Sequence, residues 1–121
     1  MENLPDSRNQ LNSKALFEAF KIQLKKDFDQ SNFLFDFVEA LMQDYDAIHE
    51  RIANALQHNE KRADFTVMRL LNRIDISEPQ LKRYLAENKN EDRLHIVAEL
   101  IIKRVLQKVV IKQFYKDKEN L

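Results

Sequence analysis

The spacing of apolar residues along the chain predicts helices and no strands. Phe17, Phe20, Leu24 and Phe28 recur at intervals of three and four residues, which places them on one face of a helix over about 13–28. The same kind of spacing predicts four further helices, over about 32–58, 64–74, 77–87 and 92–115. We therefore expect an all-α fold, a five-helix bundle-like single domain.

The second predicted helix is long and carries a heptad-like seam. Its apolar residues follow alternating steps of four and three: Leu34, Val38, Leu41, Tyr45, Ile48, Ile52 and Ala55. At about 1.5 Å per residue, a continuous helix over 32–58 would be roughly 40 Å long. We expect it to span the domain as one side of the bundle.

The fifth predicted helix is apolar around nearly its whole circumference. The residues that cover it are Leu94, Ile96, Val97, Ala98, Leu100, Ile101, Ile102, Val105, Leu106, Val109, Val110, Ile111 and Phe114. A helix of this kind is buried on all sides, so we expect a buried C-terminal helix at the centre of the bundle. Because a small chain has few elements with which to cover it, we also expect a homo-oligomer, in the form of a two-fold dimer. The residues expected at that interface are Ile96, Leu100, Val110, Ile111 and Phe114.

The composition restricts the kinds of site that the chain carries. Its 121 residues include no cysteine and no glycine. The first absence excludes disulfides, thiolate zinc sites and cysteine nucleophiles. The second excludes glycine-rich phosphate-binding loops and disfavours tight hairpins. Helices are expected to end at asparagine instead, and Asn59, Asn88 and Asn90 stand in suitable places.

Charge is unevenly distributed, although the formal net charge is zero. Residues 1–60 carry 6 basic and 11 acidic groups, and residues 61–121 carry 14 basic and 9 acidic groups. The two halves are expected to attract each other, within a chain or between chains, and the alternative is that the basic half meets an anion.

The ends of the chain are polar, and the domain is expected to comprise 13–116, between an N-terminal tail over 1–12 and a C-terminal tail over 117–121. The N-terminal tail has no apolar signal segment. The most apolar run, 94–111, is interrupted by Glu99, Lys103, Arg104 and Lys108. We therefore expect no membrane span and a cytoplasmic location.

A short corner between the third and fourth predicted helices resembles a DNA-binding motif. The segment DISEPQLKRYL, 75–85, is similar to the G-I-S-x-x-T-V-x-R-Y-L pattern of helix-turn-helix regulators, and the similarity extends over about 67–86. It implies that the second helix of the corner enters a major groove. Basic residues positioned to contact phosphates in that arrangement are Arg69, Arg73, Lys82 and Arg83.

The corner departs from that pattern at the positions that matter for DNA. Asp75 stands where glycine is usual, and Leu71 stands where a small residue lets the two helices approach. Glu78 and Pro79 occupy the exposed start of the second helix, which normally faces base edges. Glutamate repels phosphates and proline offers no side-chain hydrogen bond, so a structural corner is favoured over a DNA-binding one.

Two histidines each follow an acidic residue at a spacing found in metal-binding helical bundles. Asp46 with His49, and Asp92 with His95, are acid-x-x-His pairs, and an interval of three puts both side chains on one helix face. A di-metal carboxylate and histidine site is therefore a remote alternative. The favoured interpretation is that both histidines flank apolar faces and that the chain binds no metal and no other cofactor.

Nothing in the sequence singles out a catalytic residue. Of the four serines, Ser13, Ser31 and Ser77 are placed to cap helices and Ser7 lies in the tail. The favoured function is that of a small, non-enzymatic helical protein that acts by protein–protein contact, with itself and with a possible unidentified protein partner. The alternative is a helix-turn-helix-type DNA-binding regulator that uses 67–86.

Overall fold

The computed structural model describes residues 7–60 and 67–119, and every regular element in these ranges is helical. The elements are α1 (Ser7–Leu11), α2 (Lys14–Gln30), a 3₁₀ helix (Asp36–Ala40), α3 (Tyr45–Glu60), α4 (Val67–Ile74), α5 (Glu78–Glu87) and α6 (Arg93–Glu119). The all-α prediction is confirmed, although the number of helices exceeds five. Residues 64–66, where the third helix was predicted to start, lie outside the described residues.

The C-terminal helix is the centre of the packing. α6 packs most extensively against α3 and α2, and it also contacts α1, α4 and α5. Its apolar side chains from Ile96 to Val109 are at most 5% exposed. The all-round apolar pattern therefore corresponds to a helix that is covered within one chain over most of its length.

The predicted long helix over 32–58 is wrong. The chain instead forms the 3₁₀ helix, an extended link at 41–44, and then α3, which Asp44 caps by accepting a hydrogen bond from the backbone N–H of Ala47 at 2.9 Å. Val38 and Leu41 are still buried. The apolar residues of the seam are thus buried from two short helices in place of one long helix. Apolar spacing alone does not require that a helix be continuous.

The residues just before α2 belong to the folded core. Residues 7–11, which the sequence placed in the N-terminal tail, form α1, and Leu11 is 2% exposed. The side chain of Gln43 donates hydrogen bonds to the carbonyls of Leu11 and Asn12, at 2.9 and 3.0 Å. The extended link at 41–44 thus holds the turn between α1 and α2.

The predicted N-caps Ser13 and Ser77 are confirmed, whereas Ser31 ends α2 and does not start a helix. Of the predicted asparagine ends, α5 does end at Asn88, although not in the left-handed conformation. Ser13 accepts from the backbone N–H of Leu16 and Ser77 accepts from that of Gln80, both at 3.2 Å. Among the described residues, positive φ occurs at Asn32 (64°) and Asp75 (70°), and not at Asn59, Asn88 or Asn90. Asn59 lies inside α3.

The Asn59 side chain joins α3 to the segment that follows α2. Its amide donates to the carbonyl of Ala55 at 2.7 Å and accepts from the backbone N–H of Leu34 at 3.3 Å. Asn59 is 1% exposed. Burial of an amide costs free energy unless the amide is hydrogen-bonded. In Asn59 both the side-chain N–H and the side-chain carbonyl have a partner.

One buried ion pair connects α2 to α6. Asp27 is 1% exposed and accepts from Lys108 Nζ at 3.0 Å and from Gln23 Nε2 at 3.0 Å. Lys112 Nζ donates in turn to Gln23 Oε1 at 2.6 Å. The four side chains form a continuous hydrogen-bonded row, which we call the Asp27 cluster, on the side of α6 that faces α2.

Candidate functional site

A cleft of about 890 Å³ runs along one side of α6, and parts of α1 and α3 also line it. Its volume lies in the range of small-molecule and cofactor sites. α6 contributes residues from His95 to Ile111, the turn before α6 contributes Glu91 and Asp92, α3 contributes Tyr45 and His49, and α1 contributes Arg8. These are the helices that converge because their apolar faces are buried against each other.

His95 connects α6 to α3 at one end of the cleft. Its Nδ1 lies 3.0 Å from Asp92 Oδ2 and its Nε2 lies 3.1 Å from Glu50 Oε2. The hydrogen bond to Asp92, then that to Glu50, raises the pKa of His95 above its ordinary value, because both carboxylates accept hydrogen bonds from the charged ring and so stabilise it. The same contact lowers the pKa of Asp92.

His49 packs between Tyr45 and His95 on the wall of the cleft. Its Nε2 lies 2.6 Å from the backbone carbonyl of His95, which only accepts, so Nε2 carries the proton. The His49 ring stacks on Tyr45 and meets the His95 ring edge to face, with centroids 5.8 and 5.4 Å apart. These contacts fix the orientation of both imidazoles, which we call the histidine pair.

Tyr45 and Arg8 close the side of the cleft formed by α1 and α3. The guanidinium of Arg8 lies 4.4 Å from the Tyr45 ring centroid and donates to Asp46 Oδ1 at 2.8 Å. Burial, and then the negative charge of Glu99, raise the pKa of Tyr45 to about 12. The phenol therefore stays protonated throughout the physiological pH range.

The middle of the cleft holds a second group of charges. Lys103 Nζ donates to the hydroxyl of Tyr84, lies 3.3 Å from Glu99 Oε1, and sits 5.1 Å from the Tyr84 ring centroid. Burial opposes the charge on Lys103, but its hydrogen bonds to Tyr84 and Glu99 outweigh burial and raise its pKa. The charge on Lys103 is thus paired with the carboxylate of Glu99 within the chain.

The residues of the predicted metal alternative are only partly assembled. The structure brings His49 and His95 together and keeps Asp92 on His95, but Asp46 pairs with Arg8 instead. Both ring nitrogens of His95 are hydrogen-bonded to carboxylates. Across 7–60 and 67–119, no three histidine, aspartate or glutamate side chains are arranged to hold a metal ion.

The residues predicted at an oligomer interface fall into two groups. Ile96 and Leu100 are 1% and 2% exposed inside the chain's own core, so they are covered without a partner. Val110 is half-buried, whereas Ile111 and Phe114 are 45% and 61% exposed. Tyr115, which the sequence did not single out, is exposed beside Phe114, and the two rings meet edge to face.

The corner at 73–85 has the backbone of a tight helix–helix turn. Asp75 adopts φ 70°, as expected for the position that is usually glycine, and Ser77 caps α5. α4 and α5 both pack on α6. The apolar frame is buried at Leu70, Leu71, Ile74, Ile76 and Leu81.

The basic residues of that corner are exposed, and two of them contact other side chains of the chain. Arg69, Arg73, Lys82 and Arg83 all lie on the surface. Lys82 Nζ lies 3.3 Å from the carboxylate of Glu78 one turn earlier, and Arg73 donates to Gln30 of α2. The acidic residue at the start of α5 therefore offsets the charge of the lysine that was expected to contact phosphate.

Sequence reasoning missed three residues from other elements: Arg8 and Tyr45, which line the cleft, and Glu50, which contacts His95. Glu50, Arg8 and Tyr45 reach the site only because α1 and α3 pack beside α6. The local signal, an acidic residue three positions before His49 and before His95, is present in the sequence, but it does not identify the cross-helix partners.

Comparison with known proteins identifies no related protein from which a function could be inferred. No family model, no curated protein and no solved structure matches the chain. Among the helices that the structure describes, none combines the length and the apolarity needed to cross a membrane. The conclusions about function therefore rest on the geometry of the molecule.

Proposed function

We propose that this protein acts by protein–protein contact and associates with a second copy of itself through the C-terminal end of α6. The observation that carries the proposal is the change from buried to exposed apolar side chains along that helix. Apolar side chains from Ile96 to Val109 are buried, and then Ile111, Phe114 and Tyr115 are 45%, 61% and 59% exposed. Large apolar side chains grouped at one place on a surface are typical of an interaction site.

Association would remove this apolar surface from water. Burial of apolar area contributes roughly 25 cal/mol per Å², and aromatic residues are enriched at the centres of interfaces. A two-fold dimer uses the same surface from both copies, so each exposed side chain contributes twice.

The test is the molar mass of the full chain and of two matched variants by sedimentation equilibrium. We expect a dimer for the unmodified protein and a monomer for Phe114→Asp, because a carboxylate at the centre of the contact would be buried without a partner. Ile22→Asp is the control, since Ile22 is 71% exposed on α2. It should remain a dimer. An unmodified chain that stays monomeric at the highest attainable concentration would refute the proposal.

DNA binding through α5 is the second candidate, supported by the left-handed turn at Asp75 and the capped start of α5. Exposed Arg69, Arg73, Lys82 and Arg83 are the proposed phosphate contacts. This function requires the Glu78–Lys82 pair to open when DNA binds. Sequence discrimination is expected to be weak, because Pro79 occupies a position that faces base edges in helix-turn-helix proteins.

Binding of mixed duplex DNA at low salt tests this candidate. The double variant Lys82→Ala/Arg83→Ala should weaken binding and reduce its dependence on salt. Lys14→Ala/Lys26→Ala, which removes two exposed lysines of α2, is the matched control and should bind as the unmodified protein does. If the unmodified protein gives no shift at low salt, the DNA-binding hypothesis is rejected.

A further inference from the structure

The side chains that line the cleft along α6 are held in place by hydrogen bonds between helices. His49 Nε2 donates to the backbone carbonyl of His95 at 2.6 Å, and His95 Nε2 lies 3.1 Å from Glu50 Oε2. Lys103, in the middle of the cleft, donates to the hydroxyl of Tyr84 on α5. A ligand that meets walls fixed in this way loses little free energy to their ordering. A preformed cleft of about 890 Å³ is therefore suited to a small molecule.

The cleft has no surplus charge to offer a ligand. Each basic side chain of its lining pairs with a carboxylate of the chain: Arg8 with Asp46 at 2.8 Å, His95 with Asp92 at 3.0 Å and Lys103 with Glu99 at 3.3 Å. Along the lining as a whole, three basic groups, with His95 protonated, stand against three acidic ones, which are Glu91, Asp92 and Glu99. An ionised ligand would give up its hydration without gaining a surplus of opposite charge, so the cleft favours an uncharged ligand.

Two residues of α3, one turn apart, supply unpaired polar atoms to the wall of the cleft. Among the described residues, neither the Tyr45 hydroxyl nor His49 Nδ1 has a hydrogen-bond partner. The carbonyl of His95 keeps the His49 proton on Nε2, so Nδ1 of the neutral ring is an acceptor. The phenol of Tyr45 stays protonated and is a donor. Because the two rings are stacked with centroids 5.8 Å apart, the acceptor and the donor lie on the same part of the wall.

A primary carboxamide on an aromatic ring complements both atoms without carrying charge. Its carbonyl oxygen accepts from the Tyr45 hydroxyl, and the N–H beside it donates to His49 Nδ1. Both half-buried polar atoms of the wall then have a partner, which is favourable because an unpaired polar atom away from water costs free energy. Val110 and Ile111 line the apolar end of the cleft, where they remove the surface of the aromatic ring from water.

We propose that the cleft is a binding site for an uncharged aromatic compound that carries a hydrogen-bond acceptor and a donor side by side, of which an aromatic carboxamide is the simplest example. The acceptor of the ligand contacts Tyr45, its donor contacts His49, and its ring lies toward Val110. Phosphate esters, carboxylates and amines are outside this class because they are charged. The site does not depend on self-association through Phe114 and Tyr115.

The experiment titrates the full chain with three probes of nearly equal size, followed by NMR of the isotope-labelled imidazole and tyrosine rings. Benzamide is expected to bind with a Kd in the millimolar range, as befits so small a ligand, and to shift the His49 Nδ1 resonance. Acetophenone keeps the carbonyl but lacks the N–H, so its Kd should be about fivefold higher. Benzoate is charged, and its Kd should be higher by at least as much.

Two variants assign the two hydrogen bonds separately. Tyr45→Phe removes the hydroxyl and keeps the ring, so the Kd values of benzamide and acetophenone should both rise about fivefold, since both probes use their carbonyl there. His49→Phe removes the acceptor for the N–H, so benzamide and acetophenone should then bind equally. A purely structural role of His49 would weaken both probes alike and would preserve the difference between them.

The control variants are Tyr115→Phe and His58→Phe, which remove the same groups from exposed positions outside the lining of the cleft. Neither should change the Kd of any probe. If His49→Phe does not fold, Tyr45→Phe with the three probes decides the question. Benzoate that binds as tightly as benzamide, a Tyr45→Phe chain that binds benzamide as the unmodified chain does, or benzamide that shifts neither ring resonance would each overturn the proposal. None of these results alters the expected molar mass of the chain.

Discussion

α6 is held to its neighbours by two clusters of charged side chains that differ in burial. The Asp27 cluster joins it to α2, with Asp27 and Lys108 side chains 2% and 17% exposed. The His95 bridge joins it to α3, with His95, Glu50 and Asp92 side chains 37%, 61% and 64% exposed. The nitrogen–oxygen distances are nearly equal, at 3.0 to 3.1 Å.

Equal distances therefore do not mean equal energies. Water and salt compete for the exposed groups, so such a bridge is worth a fraction of a kcal/mol to about 1 kcal/mol. Inside the protein, a charge that loses its partner has no water to replace it, so the cost of breaking the pair is several-fold larger. The following changes test this difference.

The largest effect is expected from Asp27→Ala. It leaves the ammonium of Lys108 against an apolar surface and removes the acceptor for Gln23, so we expect the free energy of unfolding to fall by about 3 kcal/mol. Urea-induced unfolding measures it. Asp29→Ala, at an exposed position two residues on, should change stability by less than about 0.5 kcal/mol. A similar loss in both variants would contradict the importance of burial.

A smaller loss is expected when both charges are removed together. Asp27→Leu/Lys108→Met replaces the pair by apolar groups of similar size, so no charge stays buried alone. We expect this double variant to be at least about 2 kcal/mol more stable than Asp27→Ala, with a remaining deficit of about 1 kcal/mol because Gln23 Nε2 lacks its acceptor. If the double variant is no more stable than the single one, the uncompensated charge is not the cause.

The smallest effect, and the only one that depends on pH near neutrality, is expected from His95→Gln. Because the pKa of His95 is raised in the folded protein, its contribution is fully present below the unfolded pKa of about 6.5 and is lost as pH rises through the folded value. The unmodified protein should therefore lose up to about 1 kcal/mol across that interval relative to His95→Gln.

Thermal or urea unfolding at a series of pH values measures this difference. His58→Gln, at an exposed histidine near the end of α3, is the control and should follow the unmodified protein. If the stability advantage of the unmodified protein over His95→Gln grows instead of shrinking as pH rises, the assignment of His95 as a charged bridge is wrong.

Much of the fold was predictable because local signals agreed with burial. The helices over 14–30, 78–87 and 93–119 follow the apolar spacing, and Ser13 and Ser77 mark two of their starts. The seam over 34–55 led to the wrong prediction of one long helix, because the apolar spacing continues across the break between the 3₁₀ helix and α3. Asp44, a good N-cap at the break, was the overlooked signal.

The two charged clusters show where sequence reasoning ends. Asp27 falls on the same helix face as Phe20 and Leu24, so a buried acid could have been suspected. Its partner Lys108 lies 81 positions away, and only the packing of α2 on α6 brings them together. The same holds for Glu50 and His95, 45 positions apart.

The two residues with positive φ bear on the unfolded chain as well as on the native one. Asn32 and Asp75 adopt the left-handed backbone that glycine adopts without strain, and the chain contains no glycine at all. Each turn therefore carries some local strain in the folded state. In exchange, the denatured ensemble samples fewer backbone conformations than it would with glycine there, so less disorder is lost when the chain folds.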